Sequence, residues 1–199
     1  MELLTLKIGY MDNNCYVLFK DGSNEAIIID PSDDGKKIES DLKKMGLIPS
    51  FVLITHAHYD HIGAVSYLQI LGAKVYMHKA DKPIIEWSVT RKGTATFEVD
   101  YFLNDGEFLD ILGLKIKVIH TPGHSPGGVC YLVGNFLFTG DTLFYESVGR
   151  GDLPLGNPNQ LSESIKEKLF ILDDETKVYP GHGRKSSIGH EKKFNPYVK

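Results

Sequence analysis

The stretch Thr55-His56-Ala57-His58-Tyr59-Asp60-His61 places three imidazoles and a carboxylate within positions 56 to 61. Neutral imidazole and carboxylate suit zinc, iron or manganese. An apolar run, Phe51-Val52-Leu53-Ile54, precedes the cluster and is short enough for a buried strand. Ile62, Val65, Leu68 and Leu71 follow, three apart along one helical face. The cluster therefore sits on a loop leaving a strand end, the edge of an open α/β sheet where ligands bind. His56 and His58 alternate and can point at one spot, while Asp60 and His61 begin the next turn and reach a neighbouring spot. A polar loop of ordinary histidines is the competing interpretation, and the density of the spacing sets it aside.

Three later points repeat the same grammar, a strand ending in a metal-type residue. They are Thr121-Pro122-Gly123-His124-Ser125, Thr139-Gly140-Asp141-Thr142 and Pro180-Gly181-His182-Gly183. Glycine lets the backbone turn sharply and come close to a bound ion. With the first cluster, His124, Asp141 and His182 make five histidines and two aspartates, a set that suits two adjacent metal ions. His78 and His120 read as structural or as supports behind the ligands, and His190 as exposed. Cys15 and Cys130 lie in separate strand-like segments, which suits buried free thiols rather than a disulfide or a metal pair.

The elements that must position these residues follow from the remaining pattern. Strands are expected at 3–8, 15–19, 26–30, 51–54, 74–78, 107–111, 114–120, 128–133, 135–139 and 177–179. Helices are expected at 36–45, 62–71, 158–172 and 188–194. Residues 79–103 show no clean period and read as a short helix and then a loop covering one side of the pocket. The chain has 199 residues, 42% hydrophobic and 24% charged, and carries a net charge of −4. A single domain over 1–199 is expected, with no nucleic-acid or membrane partner, no secretory leader and a cytoplasmic location by default. The oligomeric state is left open.

His56-Ala57-His58-Tyr59-Asp60-His61, with His124, Asp141 and His182 in their Gly- and Pro-rich contexts, resembles the metallo-β-lactamase superfamily. Within it the chain is similar to small glyoxalase II-like (hydroxyacylglutathione hydrolase-like) hydrolases. Phe138-Thr139-Gly140-Asp141-Thr142-Leu143-Phe144, Gly149-Arg150-Gly151-Asp152-Leu153-Pro154 and Asn195-Pro196-Tyr197 carry that likeness. The resemblance implies a four-layer αββα sandwich of two mixed sheets. It implies one metal on His56, His58 and His124, a second on Asp60, His61 and His182, and Asp141 bridging both. Asp30 would hold a ligand imidazole from behind. The added C-terminal helical region with which classical glyoxalase II helps hold glutathione is not expected in a chain that reaches only Lys199. Arg184-Lys185, where relatives often carry a small residue or proline, would bring positive charge toward the pocket.

The implied chemistry is thioester hydrolysis, with S-lactoylglutathione as the type substrate. Two divalent ions, zinc expected and iron or manganese as alternatives, would lower the pKa of a shared water from ~15.7 toward ~7. Asp60 would steer that nucleophile or accept its proton. Arg150 has two readings, a fork for a substrate carboxylate or an ion pair with Asp152, the second preferred. Tyr145 and Arg91 are further substrate-contact candidates. Three other outcomes stay open: lactone or phosphodiester hydrolysis on the same frame, persulfide oxidation at a single iron, and a metal-stabilised binding protein without turnover. A structural zinc needs only four closed positions, and seven donor residues weigh against the last.

Overall fold

The computed structural model describes residues 1–198. Its first sheet contains β1 (Glu2–Ile8), β2 (Asn13–Phe19), β3 (Glu25–Ile29), β4 (Ile48–Leu53), β5 (Lys74–His78) and β6 (Tyr101–Leu103), in that order. The β1, β2 and β3 strands are antiparallel neighbours, and β3 to β6 run parallel. Between them lie α1 (Gly35–Lys44), α2 (Tyr59–Ile62), α3 (Val65–Ile70) and α4 (Lys82–Lys92). The second sheet follows with β7 (Phe108–Ile111), β8 (Leu114–His120), β9 (Val129–Val133) and β10 (Phe136–Gly140). A small hairpin, β11 (Leu143–Phe144) and β12 (Ser147–Val148), leads to α5 (Pro158–Ser164) and a π-helical turn over Ile165–Leu169. The chain then completes the second sheet with β13 (Lys177–Pro180) and β14 (Ser186–Ser187) before α6 (Ile188–Phe194).

Side-chain direction explains the layering. Strand residues alternate between faces, so Ile27 and Ile29 of β3 enter the core between the sheets while Ala26 and Ile28 face the helices. Both faces are buried, and β3 therefore reads as a continuous apolar run rather than an alternating one. Tyr16, Leu18 and Leu53 from the first sheet meet Ile116, Tyr131, Phe138 and Tyr179 from the second. On the outside of the first sheet, Ile38 and Leu42 of α1 and Val65 and Leu68 of α3 cover Val52 and Val75. On the outside of the second, Leu161, Ile165, Leu169 and Ile188 cover Cys130, Leu137 and Val178. The result is the αββα sandwich with two mixed sheets.

Several elements differ from the sequence expectation. The helix expected at 62–71 starts earlier, at Tyr59, and breaks near Gly63, where the Ala64 N–H turns to Pro31 O at 2.9 Å. The helix expected at 158–172 continues past Ser164 as a π turn and ends at Phe170. Residues 79–103 hold an eleven-residue helix, α4, and then an edge strand, β6. The helix buries only Ile84 and Ser88, too little apolar surface to impose a period on the sequence. No described helix is long and apolar enough to cross a membrane. Cys15 and Cys130 are both buried and unpaired. Burial pushes both thiols up, Cys130 to about 11, so neither is a thiolate at neutral pH.

Candidate metal centre

The loop leaving β4 carries His56 and His58, and the loop leaving β8 carries His124. Their ring nitrogens converge: His58 Nδ1 lies 2.9 Å from His124 Nε2, and His56 Nε2 lies 3.2 Å from the same atom. A second trio forms beside the first. His182 Nε2, on the loop after β13, is 3.3 Å from Asp60 Oδ2, and His61 Nε2 is 3.7 Å from it. Asp141, at the end of β10, reaches both groups. Its Oδ1 is 3.3 Å from His61 Nε2, and its Oδ2 is 3.6 Å from the Nε2 atoms of both His124 and His182. All seven residues are thus in one place, with the donor atoms of each trio within 4.8 Å of one another.

This arrangement fits divalent metal ions. His61 Nε2 and Asp141 Oδ1 are buried without a hydrogen-bond partner among the described residues. Buried polar atoms are almost always satisfied, and two orphans facing each other inside a nitrogen and oxygen cluster are the donor atoms a divalent ion would take up. The outward nitrogens fix which atom faces the cluster. His61 Nδ1 donates to Asp30 Oδ2 at 3.0 Å, and His124 Nδ1 donates to Arg150 O at 2.7 Å. Asp30 also receives the Thr55 N–H at 2.8 Å and its hydroxyl at 2.6 Å. Such partners hold a ligating imidazole in one tautomer and orientation. Glycine is required where the loops crowd in: a Cβ on Gly181 would collide with Asp141 Oδ1, and Gly140 has φ +47.

The electrostatics divide the histidines. Burial, reinforced by neighbouring imidazoles, pushes His56 down and His58 to about 3, which keeps both neutral as ligands must be. Burial also opposes charge on His61 and His182, but the carboxylates Asp141, Asp30 and Asp60 outweigh it and raise both. Asp60 and Asp141 are held low against burial by the histidines around them, Asp141 to about 2.

Some residues of the site carry no sequence signal. Asn13 donates to Asp60 O at 2.8 Å and to Asp60 Oδ2 at 3.2 Å. Asn14 bonds Pro180 O at 2.8 Å and Gly183 O at 3.1 Å, and the Tyr16 hydroxyl bonds Pro180 O at 2.6 Å. The loop of His182 is therefore clasped by β2. Asp81, 1% exposed, receives the Ala57 N–H at 2.8 Å, the Ser125 hydroxyl at 2.9 Å and the Gly127 N–H. It ties the His56–His58 loop to the His124 loop. The strand expected at 15–19 begins two residues earlier, at Asn13, which brings both asparagines into β2.

A cavity of about 510 Å³ opens onto the cluster, with His58, Asp60, His124, Asp141 and His182 at its floor. Trp87, Phe144, Val148, Leu153 and Pro154 form its walls. Arg150 lines it, but its guanidinium is paired with Asp152 through two contacts of 2.9 Å. Tyr145 lines an adjoining cavity of about 340 Å³. Arg91 lines neither; its neighbour Lys92 lines the larger one. His78 and His120 stand apart from the cluster, stacked on each other with centroids 4.1 Å apart. His190, expected to be exposed, is half-buried: it stacks on Tyr145 at 4.8 Å and bonds Glu146 at 3.0 Å.

Residues 8–182 match the family described as the Metallo-beta-lactamase superfamily. Among curated relatives, the probable metallo-hydrolase YqgX of Bacillus subtilis is 35% identical over 100% of this chain and 98% of its own. The hydroxyacylglutathione hydrolase GloC of Haemophilus influenzae is 31% identical over the same shares, 100% and 98%. Among solved structures, the BLEG-1 B3 metallo-beta-lactamase superposes with a TM-score of 0.90 at 36% identity, covering 99% of both chains. TTHA1623, solved in a di-iron-bound form, gives 0.86 at 36% identity, covering 98% and 100%. ETHE1 from Myxococcus xanthus gives 0.84 at 29% identity, covering 100% of this chain and 84% of that one.

Proposed function

The chain belongs to the metallo-beta-lactamase superfamily, and from that premise we propose that it hydrolyses small thioesters of the S-lactoylglutathione type. The observation that carries this reading is the meeting of two donor trios at Asp141 on the floor of an apolar-walled cavity. Trp87, Phe144 and Leu153 suit an uncharged acyl group, and the two cations on the same lining are engaged, Lys92 over aromatic rings and Arg150 with Asp152, so they form no open cationic track for a nucleic-acid backbone. The likeness to GloC supports the same substrate class.

His56, His58 and His124 would hold one ion, Asp60, His61 and His182 the other, and Asp141 would touch both. Two divalent ions bound there would lower the pKa of water from ~15.7 toward ~7 and polarise a carbonyl. The chain supplies the rest. Asp30, Thr55 and the Arg150 carbonyl fix the imidazoles, so no reorganisation is needed during reaction. Asp60 engages His182 and Asn13 through Oδ2, which leaves Oδ1 to steer water or take its proton. A thiolate departs without a proton, so neither Tyr59 nor Lys92 is needed as a general acid.

The test is turnover after metal reconstitution, followed at the thioester absorbance on S-lactoylglutathione and a panel of other thioesters. Hydrolysis of at least one is expected, and no turnover of any thioester would sink the reading. Gly149-Arg150 is an element that the related persulfide dioxygenases, which use one iron, also carry; it supports a second reading, oxidation of a persulfide at a single iron, and oxygen uptake with glutathione persulfide distinguishes it. A β-lactam belongs in the panel because of the likeness to BLEG-1.

A further inference from the structure

Three cationic side chains border the two cavities, and they differ in what they hold. Arg150 commits its fork to Asp152. Lys92 lies over the rings of Tyr59 and Trp87, at 4.7 and 5.9 Å. Arg184 rests flat on Tyr145, its Cζ 3.4 Å from the ring centroid, and makes no ion pair among the described residues. The other face of Tyr145 is braced by His190, and His190 in turn by Phe194 at 4.9 Å. Glu146, the nearby carboxylate, is engaged by His190 at 3.0 Å. The guanidinium is therefore positioned on a ring that His190 stacks against and Phe194 backs at a tilt, while its edge donors stay free.

Its location gives that freedom a meaning. Arg184 and Tyr145 line the 340 Å³ cavity together with Phe144, Gly183 and His182. Phe144 and His182 also line the larger cavity over the metal centre. The two spaces adjoin across these residues, so a substrate whose reacting carbonyl sits at the cluster can send one arm toward Arg184. A guanidinium is planar, weakly hydrated and carries five donors, the geometry that takes carboxylate or phosphate through two parallel bonds. Stacking on an aromatic face adds cation–π attraction and leaves less side-chain freedom to lose on binding.

Resting on the thioester reading, we propose that Arg184, held on Tyr145, is an anion-binding subsite for a carboxylate or phosphate on the substrate arm that passes His182. The enzyme accordingly prefers thioesters with an anionic thiol portion to neutral ones.

The test compares wild type, Arg184→Gln and Arg184→Lys on three thioesters sharing one acyl group. One is a glutathione thioester, one is the same compound with both carboxyls esterified, and one is a coenzyme A thioester. Arg184→Gln is expected to raise KM about tenfold for the anionic substrate, as loss of a charge-assisted bond does. The expectation includes an unchanged kcat, an unmoved diester and a partial rescue by lysine. Whichever anionic thioester responds identifies carboxylate or phosphate as the ligand. Calorimetric binding of S-hexylglutathione and of free coenzyme A needs no turnover and separates the two claims. If no thioester is hydrolysed but Arg184→Gln weakens one of these probes, the subsite stands and the thioester reading falls. The subsite is overturned if the diester and diacid respond alike, if the substitution changes neither KM nor binding, or if wild type binds neither probe.

Discussion

Asp141 touches the donor trio on either side of it, so removing its carboxylate leaves five imidazoles and Asp60 with no common member. Asp141→Ala is expected to abolish hydrolysis and to lower bound metal below two ions per chain, read by elemental analysis of the purified protein. His58→Ala should lower both quantities as well, and near-wild-type turnover in either variant would remove that residue from the centre. Asp30 acts one bond further out, on His61 Nδ1. Asp30→Ala should weaken metal affinity about 10–100-fold, measured by competition with a chelating dye. Asp81 differs again, because its three donors lie on two ligand loops. Asp81→Ala leaves buried N–H groups on Ala57 and Gly127 without acceptors, at about 1–3 kcal/mol each. Urea unfolding should register a loss of roughly 3 kcal/mol.

At the scale of elements, the stacked His78 and His120 join the end of β5 to the end of β8, one strand from each sheet. His78 Nδ1 accepts the Ala80 N–H at 3.3 Å, and His120 Nε2 donates to Pro126 O at 2.9 Å. Burial and the neighbouring His120 ring push His78 below its ordinary value, with Lys168 acting in the same direction and Asp105 and Glu107 against it. Below pH ~6.5 the unfolded chain therefore takes up a proton that the folded chain resists, and stability contributed by the neutral ring is lost as pH falls. His78→Phe, which can keep the stack, should flatten this part of the stability curve. Denaturant midpoints at pH 7.5 and 5.5 check it: wild type and variant curves that stay parallel would take His78 out of the account. The strand ends bearing His56, His124, Asp141 and His182 were legible in the sequence because each combines an apolar run, a sharp turn and a metal-type side chain. Asn13, Asn14 and Asp81 were not, because their partners lie 24 to 169 residues away and nothing local marks the pairing. The β6 edge strand and the β11–β12 hairpin, three and two residues per strand, were missed because so few residues set no period.

Across the whole molecule, the centre lies where the two sheets meet, with four donors from the first and three from the second. Its ions should therefore contribute to global stability. A ligand that binds only the folded state stabilises it by about 4 kcal/mol at a thousandfold excess over Kd. For a chain of this size that corresponds to roughly 10 °C in Tm. Chelation followed by thermal unfolding should show a drop of that order, reversed by adding a divalent metal. An unchanged Tm in a sample proven free of metal would show that the sheets hold together without it.

The clasp of β2 on the loop of His182 also bears on how the chain matures. During synthesis, β2 emerges long before residue 182, so Asn13, Asn14 and Tyr16 are in place in the chain before the segment they will hold is made. A nascent chain paused after Pro154 already owns His56, His58, His124 and Asp141 but only two of the three partners for the neighbouring position. The last donor of the centre is thus also the last to be synthesised, and the residues that hold its loop are among the first.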